Sequence, residues 1–224
     1  MANQPLNRIK AEEVDISSGN IMVKSTSESR KELMSVIKRI TVRGWCPATA
    51  GNFSMLLDSD PVKILITPSG VDKNLIDADD LLEVNEKIEI INGNGSPTAE
   101  GLIHTAVYKT RDARSVLHVH TVANTLLSEK HLKQGFIEIA GYEILKAFPG
   151  VTTHEHTERI PVFANSQDME KLSEKIHDKL KSDKKIKAVL LAGHGIYTWG
   201  KSPQTAYQHL EAIEFLFEVL SRKA

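Results

Sequence analysis

Short β-rich segments that occur in pairs constrain the fold of this chain more than any other sequence feature. Residues 53–57 and 62–66 are two apolar segments separated by turn residues, including Asp58 and Pro61, so a hairpin is predicted. A hairpin joins antiparallel strands, whereas a doubly wound parallel sheet needs a crossover between its strands. We therefore predict an α/β protein whose mixed, mainly antiparallel central sheet is flanked by helices.

The remaining apolar periodicity divides the chain into one layered domain and a polar N-terminal arm. Residues 1–27 lack sustained periodicity and are predicted to form the arm, and residues 28–224 form a single α/β/α domain. Further strands are predicted within 81–91 and at 115–121, 160–163, 188–192 and 196–199, and helices at 27–44, 98–112, 122–130, 142–148, 166–181 and 203–222.

Charge and cysteine content exclude several classes of partner. Lys and Arg total 28 against 29 Asp and Glu, a net charge of -1, so no basic field would attract nucleic acid or an anionic membrane. Cys46 is the only cysteine, which is typical of a reducing compartment, and no apolar run approaches the ~20 residues of a membrane span. We expect a cytoplasmic protein that binds neither nucleic acid nor membrane.

Three histidines form the best candidate metal site. His118 and His120 lie two residues apart in a β-rich run, so both imidazoles project from the same face of a strand. His194 follows an apolar run and lies between two glycines that allow a tight turn. Three imidazoles with one open position suit catalytic zinc. Each motif alone is equally explained by sheet and turn histidines, and His154 with His156 offers a second, weaker pair in a polar loop.

Two glutamates are candidate acids or bases. Glu100 precedes His104 by one turn near a predicted helix start, where it could bind metal, act as a base or simply begin the helix. Glu143 lies among bulky apolar residues, which would raise its pKa if it were buried, but it also fits an exposed helix. Segments 49–54 and 67–70 are rich in small and hydroxyl residues, which suit an anion-binding loop or an ordinary turn.

Taken together, four ordered segments resemble the class II aldolase family. They are residues 44–54, 67–73, 116–121 and 193–200, and the resemblance runs from about Glu28 to the C-terminus. The nearest branch of the family removes water from a phosphorylated ketose. One departure is Gly101, where a hydroxyl residue is expected.

The resemblance implies a homotetramer with sites near subunit interfaces and one zinc ion held by His118, His120 and His194. It favours Glu143 as the catalytic acid/base, as in the dehydratases, while Glu100 matches the acid/base or metal-ligand carboxylate of the aldolases. The substrate phosphate would be bound by Gly51, Asn52, Ser69, Gly70, Thr98 and Ala99.

The function implied is zinc-dependent dehydration of a 1-phosphorylated 2-ketose, which makes the protein a lyase. A sugar-phosphate aldolase or epimerase would use the same metal site, because fold alone does not separate these reactions. A non-catalytic binding module is a third reading, since the fold also occurs in cytoskeletal adaptor proteins. Retention of the histidines and of the phosphate loops favours an enzyme.

Overall fold

The computed structural model describes residues 25–223, which form five α-helices, nine strands and one 3-10 helix. None of the described helices is both long and apolar enough to cross a membrane. The helices are α1 (Thr26–Val42), α2 (Gly101–Thr110), α3 (Val122–His131), α4 (Met169–Ser182) and α5 (Pro203–Lys223), and the 3-10 helix is Glu143–Ala147. The strands are β1 (Asn52–Ser59), β2 (Val62–Ile66), β3 (Leu82–Val84), β4 (Ile90–Asn92), β5 (Ser115–Val119), β6 (Phe136–Ala140), β7 (Thr157–Phe163), β8 (Ala188–Leu191) and β9 (Gly195–Gly200).

The described strands form one sheet in the order β4-β3-β2-β1-β5-β9-β8-β7-β6. Every neighbouring pair is antiparallel except β7 and β8, which are parallel. The predicted hairpin of β1 and β2 is present, with Ser54 opposite Ile66. The mixed, mainly antiparallel sheet is therefore confirmed.

Helices cover both faces of the sheet, because alternate strand residues point in opposite directions. On β5, Leu117 and Val119 pack with α1, α3 and α5, whereas Val116 packs on the other side with α2 and α4. Ser25 begins α1 with a capping box closed by Glu28. The resulting three layers hold the central strands rigidly, and the candidate site lies at the end of these strands.

Three sequence predictions differ from the structure in detail. β6 was not predicted, and 142–148 forms a short 3-10 helix rather than an α-helix. Residues 1–24 of the predicted arm lie outside the described part of the chain. The last residues assigned to the arm already belong to α1, which begins at Thr26.

A buried carboxyl group ties α5 to the start of α3. Glu214 is 1% exposed and accepts hydrogen bonds from the Thr121 hydroxyl at 2.7 Å and from the Asn124 amide at 2.8 Å. Burial raises the pKa of Glu214 to about 7, although both donors act to lower it. Thr121 also caps α3, so this contact fixes the turn that directly follows His120.

Glu214→Gln should change how stability depends on pH. Because its pKa is higher in the folded state, Glu214 contributes fully below its ordinary pKa of 4.5 and loses that contribution as pH rises toward 7. At about 1.4 kcal/mol per pKa unit, the loss is up to about 3 kcal/mol. Measured by urea unfolding between pH 4.5 and 8, the stability of Glu214→Gln relative to the wild type should therefore rise by this amount, because other groups that titrate in this range are common to both proteins and cancel. Glu174→Gln, on the exposed face of α4, is the control and should follow the wild type. Identical pH profiles for all three proteins would contradict the assignment.

Candidate metal centre

Strand pairing brings the three predicted histidines together. His118 is on β5, His120 directly follows this strand, and His194 lies in the turn between β8 and β9. Because β9 pairs with β5, with Ile196 opposite Val119, the turn lies over the end of β5. One ligand atom from each histidine lies within 4.8 Å of the others, and no other group of this kind occurs within residues 25–223.

The glycines around His194 are required by the close approach of this turn to β5. A Cβ atom on Gly195 would lie 2.4 Å from the Val119 carbonyl oxygen and 2.9 Å from the rings of both His118 and His120. Gly193 has φ +63°, which favours glycine. Any side chain at Gly195 would therefore displace the imidazoles.

Hydrogen bonds orient two of the histidines for metal binding. Nδ1 of His118 lies 3.0 Å from the carbonyl oxygen of Ile196, and Nδ1 of His194 lies 3.2 Å from Oδ1 of Asn165. Both oxygens only accept, so each Nδ1 can donate its proton while Nε2 offers its lone pair to a metal. The Nε2 atoms of His118 and His120 are 2.8 Å apart.

Glu100 adds a carboxylate to this group of acceptors. Its Oε1 lies 3.2 Å from Nε2 of His194, and its Oε2 lies 3.5 Å from Nε2 of His118. Lone pairs of imidazoles and of a carboxylate thus converge on one point, and their mutual repulsion is relieved by a cation. Imidazole nitrogens with a carboxylate oxygen are ligands of zinc and related divalent ions, so the donor set fits such a metal.

Electrostatics keep these groups in their metal-binding states. Burial lowers the pKa of His118 well below its ordinary value and that of His120 to about 4, with a further contribution from His194. Burial acts to raise the pKa of Glu100, but the contacts with His194, His118 and Asn52 outweigh it and leave that pKa well below its usual range. Neutral imidazoles and an ionised carboxylate are the forms that bind metal.

A small cavity of about 210 Å³ opens beside the histidines and contains the predicted phosphate loops. Ala99 is exposed and does not line the cavity. Gly51 has φ +81°, and a Cβ there would lie 2.8 Å from the backbone oxygen of His118, so glycine lets this loop approach β5. The predicted residues that line the cavity, together with Glu100 and His120, are Gly51, Asn52, Ser69, Gly70 and Thr98.

Sequence reasoning missed Lys73, Asn165 and Tyr197. Lys73 lines the cavity, is 3% exposed, and its ammonium donates only to backbone oxygens, at 3.1 Å and 2.8 Å. Tyr197 stacks on His118 with ring centroids 3.9 Å apart. Lys73 is the last residue of segment 67–73, so the family resemblance could have identified it. The contact of Asn165 with His194 depends on the fold and has no local sequence signal.

A larger cavity of about 760 Å³ is lined by His120 and His194, and His120 also lines the smaller one. Its lining includes the apolar side chains of Trp45, Val122 and Leu126, and the last two are 78% and 54% exposed. His120 therefore borders both a polar cavity and a partly apolar one.

Glu143 does not join this cluster within one chain. Its side chain is 70% exposed and contacts Lys146 and His154, and the Lys146 hydrogen bond lowers its pKa, so within one chain the burial that would raise this pKa is not present. Ala140 pairs with Thr157 at the start of β7, whereas the end of β7 pairs with β8 next to the histidine turn. The start and the end of β7 are six residues apart, so roughly 20 Å of strand separate the segment that leads to Glu143 from the histidine turn.

Comparison with known proteins identifies close relatives. The family described as Class II Aldolase and Adducin N-terminal domain matches residues 31–221. The methylthioribulose-1-phosphate dehydratase of Methylococcus capsulatus is 41% identical over 192 residues, which covers 85% of this chain and 92% of the relative. The protein of the same name from Pseudomonas fluorescens is 41% identical over 177 residues, which covers 79% of this chain and 84% of the relative.

Solved structures with the same fold include sugar-phosphate aldolases. An L-fuculose 1-phosphate aldolase superposes with a TM-score of 0.71 at 22% identity over 90% of each chain. YgbL from Escherichia coli, titled a putative aldolase/epimerase/decarboxylase, superposes with a TM-score of 0.70 at 24% identity, over 90% of this chain and 92% of the YgbL chain. At these identities the similarity establishes the α/β/α fold alone.

Replacing the candidate ligand His194 should weaken metal binding more than replacing Asn165, which only orients that ligand. Loss of a supporting contact typically costs ~10- to 100-fold in affinity, so we expect this range for Asn165→Ala and a larger loss for His194→Ala. Chelator competition followed by metal analysis measures both variants. His177→Ala, on the surface helix α4, is the control and should bind metal like the wild type. Full metal affinity in His194→Ala would exclude it as a ligand.

Proposed function

The chain belongs to the class II aldolase and adducin N-terminal domain family, and on that premise we propose that it dehydrates 5-methylthioribulose 1-phosphate. The product is 2,3-diketo-5-methylthiopentyl 1-phosphate, and the reaction belongs to methionine salvage. The observation that carries this proposal is that residues of the histidine cluster line both a polar cavity with the predicted phosphate loops and a partly apolar cavity. Relatives about 40% identical over most of the chain carry the name of this dehydratase.

The metal is proposed to be zinc, held by His118, His120 and His194. Three imidazoles with an open position are typical of catalytic zinc, which would supply a Lewis acid for the substrate oxygens. Glu100 lies within 3.5 Å of two of the ligand nitrogens, so it serves as a further ligand or as a base for the same site.

The cavity of about 210 Å³ is proposed to bind the substrate phosphate. Backbone N–H groups at Gly51 and Gly70 and the hydroxyls of Ser69 and Thr98 provide donors of the kind that bind phosphate oxygens. Lys73 adds a buried positive charge that no carboxylate contacts directly. The partly apolar cavity beside Trp45 and Leu126 then accepts the methylthio end of the substrate.

Glu143 is proposed to move the protons, and it acts in the site of a neighbouring subunit. Within its own chain it is exposed and separated from the histidines, so it completes a site only in an oligomer, for which we propose a homotetramer. Its carboxylate removes the proton from carbon 3 and delivers it to the hydroxyl at carbon 4, which leaves as water. The resulting enol tautomerises to the 2,3-diketone, and all carbons are retained.

The product of the zinc-loaded protein tests this function. Mass spectrometry after incubation with 5-methylthioribulose 1-phosphate should show the loss of one water with the carbon skeleton intact, and a chelator should abolish the reaction.

The position of Glu100 beside the ligand histidines favours aldolase chemistry as the second candidate. Cleavage into dihydroxyacetone phosphate and an aldehyde would support it. A metal-replete protein that releases neither product would refute the substrate, and purified protein without metal affinity would favour a binding module.

Glu143→Gln should reduce turnover by about a hundredfold to ten-thousandfold while metal content and fold are retained, because a general acid/base contributes this much. If the residue acts across an interface, co-assembly with His194→Ala should restore part of the activity. Each mixed interface then contains one site with an intact metal centre and an intact Glu143. Glu155→Gln, a nearby acid, is the control. Normal turnover in Glu143→Gln would refute its role, and failure of complementation in verified mixed oligomers would place it in its own subunit's site.

A further inference from the structure

A buried row of hydrogen bonds leads from the interior of the protein to Glu100. The Tyr108 hydroxyl lies 2.7 Å from the Ser54 hydroxyl, which lies 2.6 Å from Nδ1 of His104. Nε2 of His104 lies 2.7 Å from Oδ1 of Asn52, whose amide nitrogen donates to Oε2 of Glu100. Ser54 and His104 are 0% exposed and Asn52 is 5% exposed, so solvent does not compete for these bonds.

The carboxylate of Glu100 gives every bond in this row the same direction, because it only accepts. The Asn52 amide nitrogen therefore donates to Glu100, and Oδ1 of Asn52 faces His104. Since this oxygen also only accepts, His104 donates from Nε2 and carries a lone pair on Nδ1. Ser54 then donates its hydroxyl proton to Nδ1, which leaves the Tyr108 hydroxyl to donate to Ser54.

The orientation of Asn52 has a consequence for the phosphate cavity, which Asn52 also lines. Its amide nitrogen carries two hydrogens, and only one is used by Glu100. The second is free to donate into the cavity beside Ser69 and Thr98. A flipped amide would instead present its oxygen to Glu100 and to any bound phosphate, and both are acceptors.

We propose that His104 is a positioning residue that, through Ser54, locks the Asn52 amide so that one nitrogen serves both Glu100 and a bound phosphate. This inference rests on the proposed phosphate cavity but not on the identity of the sugar. His104 touches neither the phosphate nor the metal, and its effect passes through Asn52. Its partly apolar surroundings, including an edge contact with the ring of Tyr197, make an aromatic replacement sterically acceptable.

Isothermal titration of the zinc-loaded protein with inorganic phosphate tests the proposal. His104→Phe keeps an aromatic ring but cannot hold the amide, so we expect phosphate affinity to fall about tenfold or more. His104→Gln can donate to Asn52 and accept from Ser54, and its affinity should remain within about threefold of the wild type. Tyr108→Phe leaves Ser54 able to donate to His104 and should change affinity by about twofold or less. Ser69→Ala removes a proposed phosphate donor outside the row and should also weaken binding, which locates the measured phosphate in the cavity rather than on the metal.

A packing role for His104 gives a different pattern. It would leave phosphate affinity unchanged in folded His104→Phe, or reduce it equally in His104→Phe and His104→Gln, and either result overturns the proposal. If His104→Phe does not fold, Ser54→Ala replaces it, because loss of the Ser54 donor frees the tautomer of His104.

Nitrogen NMR of the wild-type imidazoles provides a second, independent readout. The proposal requires the Nε2–H tautomer of neutral His104, and the Nδ1–H tautomer would overturn it. If the wild type binds no phosphate, the phosphate cavity of the proposed function is refuted, and the tautomer alone decides whether Asn52 is locked toward Glu100.

Discussion

β5 and β9 pair along their whole length, from Ser115 opposite Gly200 to Val119 opposite Ile196, and this register determines where the imidazoles meet. The turn before β9 approaches β5 so closely that only glycine fits at position 195. The same β5 strand pairs with β1, which places Asn52 opposite His118. The candidate metal site and the loop of the proposed phosphate cavity are therefore consequences of three neighbouring strands, and the helices keep those strands in register.

Burial of polar groups gives this region its chemical character. His118 and His104 are both 0% exposed, and one nitrogen of each imidazole faces an oxygen that only accepts, on Ile196 for His118 and on Asn52 for His104. Burial without such partners would be costly, so the polar groups specify one arrangement rather than several. Cation binding at the converging Nε2 atoms and at Glu100 then completes a network in which every other group is already positioned.

Local sequence patterns predicted the parts of the structure that depend on short-range order. The β1–β2 hairpin, the strand with His118 and the long C-terminal helix follow from periodicity and turn residues. The alternating strand at 136–140 was missed although its pattern is typical of an edge strand. Contacts such as Asn165 with His194 join residues 29 positions apart, and periodicity carries no information about them. The role proposed for Glu143 requires a second subunit, and no intrachain pattern encodes such a contact.

X-ray absorption spectroscopy of the zinc-loaded protein counts the imidazole ligands of the metal. We expect three imidazole nitrogens at about 2.0–2.1 Å from the metal, with oxygen in the remaining coordination. His194→Ala should reduce the imidazole count to two, because His118 and His120 remain on their strand. A spectrum with fewer than three imidazoles in the wild type, or one unchanged by loss of His194, would contradict a metal centre built from these three histidines.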